Sequence, residues 1–412
     1  MKIKTITCRQ VLDSRRRPTL KTTVSLEDKS IGSFSVPSGA STGIHEAVEL
    51  RDSNSQGIRQ AIANTKGPIR NLLIGQNAYN QEKVDQLMID LDGTKNKSKL
   101  GGNAIIGVSG AVCRAAAKSQ KMPLFKYLGK LSGNNHFVLP TPLILMIEGG
   151  KHGDWITDIQ EYMIIPQKNK FPKFTQRLEA GNKIYRQLKK ILEKKGFSAK
   201  LGFEGAFMPP KISSNEQAFQ LIVEAVKKAG YQLKNEVNLA IDAAASEFYH
   251  HHKYHLKSEK IKLNPKKWRD TIINWTKKYP LKSVEDPCGQ ENWTEWARLI
   301  SILGKNTRIV GDDLTTTNAE RIRKAHQEKA INAVIIKPNQ IGTISETIKA
   351  INLAHSYKFI TIVSHRSGET NDDFIADLAV GAGCPQVKFG APSQKERLAK
   401  YNRLLQIEKE LE

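Results

Sequence analysis

Six polar residues in the second half of the chain each close a short apolar run, and their types suit chemistry on a small acid. Asp242 follows residues 237–241, Glu285 follows Ser283 and Val284, and Asp312 follows residues 308–311. Lys337 follows residues 333–336, His365 follows residues 360–364, and Lys388 follows Gln386 and Val387. Successive members lie 23 to 43 residues apart. One strand, one helix and two loops take about that length in a (β/α)8 barrel of ~250 residues. Strand C-termini of such a barrel open on one face, so the six would converge. Three carboxylates can hold a divalent cation such as Mg2+. Two lysines and a histidine can manage an anionic substrate and its proton. Taken singly, each residue has an ordinary explanation as a helix N-cap or a loop ion pair. Their shared period is what argues for a site.

The elements that must position them follow from length and pattern. A chain of 412 residues has room for a barrel and a smaller domain. Apolar residues make up 39% and charged residues 25%, as expected of a globular enzyme. No apolar run approaches the ~20 residues of a membrane span. The first eight residues alternate like a strand and lack the apolar core of a signal peptide. Cys8, Cys113, Cys288 and Cys384 show no metal-ligand spacing, which predicts reduced, buried thiols in a cytoplasmic protein. Strand-like runs at 21–26 and 33–36 precede helical patterns at 80–91 and 103–119. Residues 129–142 read as loop. The chain therefore divides into an α+β N-terminal capping domain, 1–131, and an α/β eight-stranded (TIM-like) barrel, 132–412. A closing helix over 393–412 packs through Leu398, Tyr401, Leu404, Leu405 and Ile407. The His250-His251-His252 run reads as an exposed turn or helix rather than a metal site.

The net charge of +23 concentrates in residues 183–200 and 253–282. Apolar residues at helical spacing in both stretches predict barrel helices with a basic outer face. A solvated surface is the first reading of those faces; secondary polyanion binding, including a cell-surface location, is the second.

Residues 36–47, Val-Pro-Ser-Gly-Ala-Ser-Thr-Gly-Ile-His-Glu-Ala, combine glycines and hydroxyls as a closing lid would. Continuing to Glu49-Leu50-Arg51-Asp52, the segment resembles the mobile catalytic loop of the enolases. Residues 92–99 and 102–109 resemble the enolase N-terminal domain. Ile159-Gln160-Glu161-Tyr162-Met163 resembles the first barrel strand. Residues 242–249, 283–287 and 310–318 resemble the three metal-ligand segments, and 336–343 the catalytic-lysine segment. Val363-Ser364-His365-Arg366-Ser367-Gly368-Glu369-Thr370 is the most distinctive match. The resemblance implies phosphopyruvate hydratase activity, the dehydration of 2-phosphoglycerate to phosphoenolpyruvate. It implies two Mg2+ per active site, one on Asp242, Glu285 and Asp312, the second recruited with substrate through Ser41. Lys337 would be the general base, with its pKa lowered by nearby cations. Glu204 would protonate the leaving hydroxide, assisted by Glu161, beside His365. His152, Glu161, Arg366, Ser367 and Lys388 would contact substrate. The resemblance further implies a homodimer or a higher dimer-based oligomer, and a barrel whose first turns depart from simple βα alternation.

The chain departs from the enolase pattern at several points. Phe203 stands where an aspartate usually precedes the catalytic glutamate, and Ala206 replaces a glycine after it. Glu148 stands in place of an asparagine. Arg16 and Arg17 replace a Gly-Asn pair, and Pro338 and Phe389 follow the two lysines. An aromatic ring at 203 is expected to desolvate Glu204, raise its carboxyl pKa and slow turnover. Two alternatives follow from these changes. One is a related dehydratase acting on another acid; the other is an enolase-like protein whose basic surface binds polyanions.

Overall fold

The computed structural model describes residues 1–53 and 56–412. Three antiparallel strands, β1 (Ile3–Leu12), β2 (Pro18–Leu26) and β3 (Ile31–Ser35), open the chain in the order 1-2-3. Alternate β2 residues Leu20, Thr22, Val24 and Leu26 are buried, as a one-sided sheet requires. Helices α1 (Arg59–Asn64) and α2 (Arg70–Leu73) flank a π-helical stretch containing Pro68, whose ring cannot sit in a regular helix interior. Helix α3 (Gln81–Asp92) starts where Asn80 accepts from the Lys83 N–H at 3.0 Å and stops at left-handed Gly93. Helix α4 (Gly102–Ser119) is buried almost all round, its small residues packed between the sheet and the barrel. Helix α5 (Leu124–Ser132) leads into the second domain.

The barrel strands are β4 (Thr141–Glu148), β5 (Glu161–Pro166) and β6 (Val237–Asp242). A small antiparallel sheet interrupts them, made of β7 (Tyr249–His250), β8 (Lys253–Leu256) and β9 (Ile261–Leu263). The barrel resumes with β10 (Leu281–Glu285), β11 (Arg308–Gly311), β12 (Ala333–Ile336), β13 (Ile360–Ser364) and β14 (Gln386–Lys388). It closes in the order 10-11-12-13-14-4-5-6. Helices α6 (Phe174–Lys194) and α7 (Asn215–Lys228) both lie between β5 and β6. Then come α8 (Pro265–Lys278), α9 (Trp293–Leu303), α10 (Ala319–Gln327), the short α11 (Pro338–Ile341), α12 (Ile344–Ser356), α13 (Phe374–Gly381) and α14 (Lys395–Leu411). Inward residues such as Leu143, Leu145, Met163, Ala240, Val310, Ile335 and Ile362 fill the lumen. Their neighbours in sequence, among them Ile144, Ile164 and Val334, pack outward against the helices.

Three expectations need correction. Residues 159–163 do not belong to the first barrel strand. They run into β5, the second, which lies antiparallel to both β4 and β6. The true first strand, β4, is buried on both faces, so it carries no alternation to read, and Pro140 and Pro142 at its start mimic a loop. The 129–142 stretch is also partly helical, since α5 runs to Ser132. Finally, only Pro265–Lys278 of the 253–282 basic stretch is helix; residues before it form β8 and β9. His251 and His252 form the exposed turn between β7 and β8.

Candidate active site

Lys388, the last residue of β14, aims its ammonium across the barrel mouth at carboxylates from three adjacent strands. Its Nζ donates to Glu285 Oε1 at 2.7 Å, Asp242 Oδ2 at 3.1 Å and Glu161 Oε1 at 3.2 Å. Glu161 gets there because β5 runs backwards: its first residue lies opposite the last residue of β6. Burial alone would lower a lysine pKa, yet Glu161, Glu285 and Asp242 together hold Lys388 well above its ordinary value. Burial and then the charge on Asp242 push Glu285 up, with Lys388 opposing. Glu161 is raised by burial in the same way, Lys388 again opposing and Glu204 adding to the rise.

A second pair stands beside this one. Lys337, which follows β12 and caps α11, ion-pairs with Asp312 Oδ2, while Gln340 Nε2 donates to Asp312 Oδ1 at 2.9 Å. The expected lowering of the Lys337 pKa is reversed. Burial, Arg366 and Lys388 push it down, but Asp312 outweighs them and the net direction is up. Asp286 accepts from the backbone N–H groups of Asp312 (3.0 Å) and Asp313 (2.8 Å), fixing this turn.

Glu204 sits between two imidazoles. His152 Nδ1 lies 3.3 Å from Oε1 and His365 Nε2 lies 3.1 Å from Oε2. Arg397 Nη1 is 2.8 Å from His365 Nδ1. A guanidinium can only donate, so Nδ1 accepts and the ring proton sits on Nε2, facing Glu204. Burial pulls the His365 pKa down to about 3. For Glu204, burial works upward, but His365, His152 and Arg397 outweigh it and hold the carboxyl well below its usual range. Gly390, on the other side of His365, has φ +81°, and a side chain there would meet the imidazole at 2.7 Å.

The surroundings of Glu204 differ from the sequence-based expectation. Phe203 is 43% exposed, so its ring does not desolvate Glu204; closure of the barrel does. The carboxyl near Glu204 comes instead from Glu148, the last residue of β4. It is fully buried and accepts from the Ala206 N–H at 2.9 Å and the Glu204 N–H at 3.1 Å. A carboxylate absent at 203 is thus present at 148, and Glu204 is lowered rather than raised.

The loop 36–47 lies over this mouth. Ser38 and Gly368 exchange backbone hydrogen bonds of 2.8 Å, and the Ala47 N–H donates to the Gln340 carbonyl at 2.7 Å. Arg366 donates to both Glu46 oxygens, at 2.9 and 3.2 Å, and to the Ser41 carbonyl at 3.2 Å. Ser367 Oγ accepts from the Ala40 N–H at 2.7 Å, and Ser41 Oγ lies 3.4 Å from His152 Nε2. Any side chain at Gly39 would collide with the Arg366 guanidinium.

Buried polar atoms are rarely left without partners. At the barrel mouth Glu161 Oε2 and Glu285 Oε2 have no hydrogen-bond partner among the described residues, while Glu204 Oε2 faces only the His365 Nε2. These two carboxylate oxygens leave the mouth with capacity for a ligand. The family comparisons agree. The model described as "Enolase, N-terminal domain" matches residues 3–128, and "Enolase, C-terminal TIM barrel domain" matches residues 136–412. The enolase of a Nitratiruptor species is 46% identical over 413 aligned positions, covering 99% of this chain and 97% of that protein. The chain belongs to the enolase family. Its reaction is accordingly the enolase one: a hydro-lyase step of glycolysis that dehydrates 2-phosphoglycerate to phosphoenolpyruvate and water.

The enolase motifs led to residues that the fold does bring together. Glu161, Asp242, Glu285 and Lys388 form one cluster, and Asp312 with Lys337 another. Glu204, His152 and His365 form a third, and Ser41, Arg366 and Ser367 lie where lid meets barrel. Asp312 stands apart from Asp242 and Glu285 in one respect: its hydrogen-bonding lysine is Lys337, theirs is Lys388. Sequence reasoning missed Arg397, Glu46, Gln340 and Asp286. Arg397 carried a signal, since it precedes Tyr401 by four residues on the buried face of α14. Glu46 and Gln340 lay inside recognised motifs but had no visible partner until the fold paired them.

Proposed function

We propose that this chain performs the enolase dehydration with Lys337 as base and Glu204 as acid, on Mg2+ held by Asp242, Glu285 and Asp312. The supporting observation is the pair of unpartnered buried carboxylate oxygens at the barrel mouth, among two lysines and four carboxylates. The donor set fits Mg2+: Asp242, Glu285 and Asp312 offer carboxylate oxygens only, and Glu285 Oε2 is unsatisfied. Ser41, on the lid, is the residue we assign to a second Mg2+. Bound there, Mg2+ would supply positive charge against the dianion formed at the substrate carboxylate and offset the carboxylates that now keep the two lysines charged.

The chain's own residues supply the rest. Neutral Lys337 Nζ takes the proton α to the substrate carboxylate. Lys388 adds a fixed cation beside the carboxylate on which charge builds. Hydroxide is a poor leaving group, so Glu204 is assigned to protonate the departing oxygen; the negative charge of the bound substrate would have to offset the cations that hold this carboxyl low in the free site. His152 and His365 aim the two Glu204 oxygens, and Glu161 presents a further carboxylate beside them. Arg366 suits the phosphate because its planar fork binds two oxygens at once, and Ser367 and His152 complete that contact. The lid closes over these groups and excludes water.

Residues 1–131 form the capping domain and 132–412 the catalytic barrel in this reading. The enolase resemblance supports a homodimer or a higher dimer-based oligomer. Four buried, unpaired cysteines support a reducing, cytoplasmic setting. The exposed lysines of residues 183–200, on α6 and the turn after it, and of residues 253–282, on the β8–β9 hairpin and α8, support secondary polyanion binding. No helix among the described residues is long and apolar enough to cross a membrane. The test of the base assignment is Lys337→Ala. It should abolish exchange of the substrate α-proton with solvent deuterium while Mg2+ binding persists. Unchanged exchange would remove Lys337 from the role.

A further inference from the structure

The end of the barrel opposite the active site holds a cavity of about 470 Å3, within the size range of small-molecule sites. Its walls are strand starts: Thr141 of β4, Arg308 of β11 and Gln386 of β14, with Lys282 of β10 and the loop 304–307 beside them. Lys168 and Lys305 complete the rim. No carboxylate is among its lining residues, whereas Lys168, Lys282, Lys305 and Arg308 bring four cations to it.

Two side chains at its inner end have no hydrogen-bond partner among the described residues, one half-buried and one buried. Arg308 shares the inward face of β11 with Val310, since strand residues alternate. Burial lowers its pKa, and no neighbouring carboxylate offsets the effect. Among the described residues none gives its guanidinium a hydrogen bond or an ion pair, whereas Arg15, Arg114, Arg366 and Arg403 each have a carboxylate partner. Gln386 is 3% exposed, lines the same cavity, and its Oε1 has no hydrogen-bond partner. A partly desolvated guanidinium without an acceptor is costly. Next to it lies an amide with unused capacity, and three ammonium groups surround the opening, of which Lys282 donates to the Asn306 carbonyl at 3.3 Å.

We propose that this basal cavity is a second ligand site, distinct from the active site, that takes a small, multiply charged phosphate anion. Arg308 would grip one phosphate group with its planar fork. Lys168, Lys282 and Lys305 would meet the remaining charge at the rim, and the Gln386 amide, turned to present its Nε2, would donate to the ligand's inner end. Arg308 precedes Asp312 by four residues along β11, roughly 13 Å at ~3.3 Å per residue, and Gln386 precedes Lys388 by two, so a phosphate held by Arg308 and the rim lysines does not reach Lys337 or Arg366.

The probe is inorganic pyrophosphate, titrated calorimetrically into the full-length protein without Mg2+. Wild type should show a binding event that Arg308→Gln weakens by roughly 10- to 100-fold, the span of one charge-assisted contact. Lys168→Glu/Lys305→Glu, which alters only exposed rim residues, should weaken the same event. Both variants should keep wild-type dehydratase activity, because neither touches the catalytic mouth. Pyrophosphate binding that is absent from wild type, or the same in wild type and the rim double variant, would overturn the proposal. So would loss of the event in Arg366→Lys with retention in Arg308→Gln, which would assign all binding to the active site.

Discussion

Glu148 is one of the residues at which this chain departs from the enolase pattern, and its removal should be costly in a specific way. Its carboxyl is fully buried and accepts from the N–H groups of Glu204 and Ala206. Glu148→Ala leaves both donors buried and unpaired, at about 1–3 kcal/mol each, or about 2–6 kcal/mol in total. Glu148→Gln keeps an acceptor oxygen and the shape of the protonated carboxyl, so it should lie within roughly 1 kcal/mol of wild type below about pH 4.5. The pH dependence sets the two chemistries apart. Burial first, and the Glu204 charge second, push the Glu148 pKa well above its ordinary 4.5. A carboxyl raised on folding stabilises fully below its unfolded pKa, and that contribution is lost as pH rises through the folded value. Glutamine does not titrate. The stability of wild type relative to Glu148→Gln should therefore fall as pH rises above about 4.5. Urea unfolding of the three proteins across pH measures this. A Glu148→Ala variant as stable as wild type, or a gap between wild type and Glu148→Gln that does not change with pH, would refute the reasoning. Phe203→Asp belongs in the same series. Because the ring is largely exposed, the substitution should change turnover by less than about twofold; a large change in rate would mean that the ring does reach Glu204.

Other outcomes follow from the same geometry. Asp312→Ala should weaken Mg2+ binding strongly in calorimetry, since it removes one of three oxygen donors and leaves Lys337 without its carboxylate; unchanged affinity would place the metal elsewhere. The protein should be retained on heparin at low salt through the α6 and β8–β9 lysines and be released as salt rises, because counterion release drives such contacts. Elution that does not respond to salt would exclude that surface.

The period of polar residues at strand ends made the barrel legible, because Asp242, Glu285, Asp312, Lys337, His365 and Lys388 each end or immediately follow a strand. Glu161 was legible only by family resemblance. Its strand runs antiparallel, so it reaches the mouth from a strand start, where no apolar run precedes it. β4 was hidden because a strand buried on both faces has no alternation. The exchange of carboxyl from position 203 to 148 could not be read either: the two positions are far apart in sequence and meet only where the turn at 202–206 folds onto β4. Lys337 is the remaining case. Its type and position were evident, but the direction of its pKa depends on a single contact with Asp312 that only the folded chain reveals.

The central claim is that this barrel mouth dehydrates 2-phosphoglycerate with metal bound. Ultraviolet absorbance of phosphoenolpyruvate tests it directly. Purified protein given 2-phosphoglycerate and Mg2+ should produce a steady rise that EDTA abolishes and excess Mg2+ restores. No product with Mg2+, or an undiminished rate in EDTA, would contradict the account.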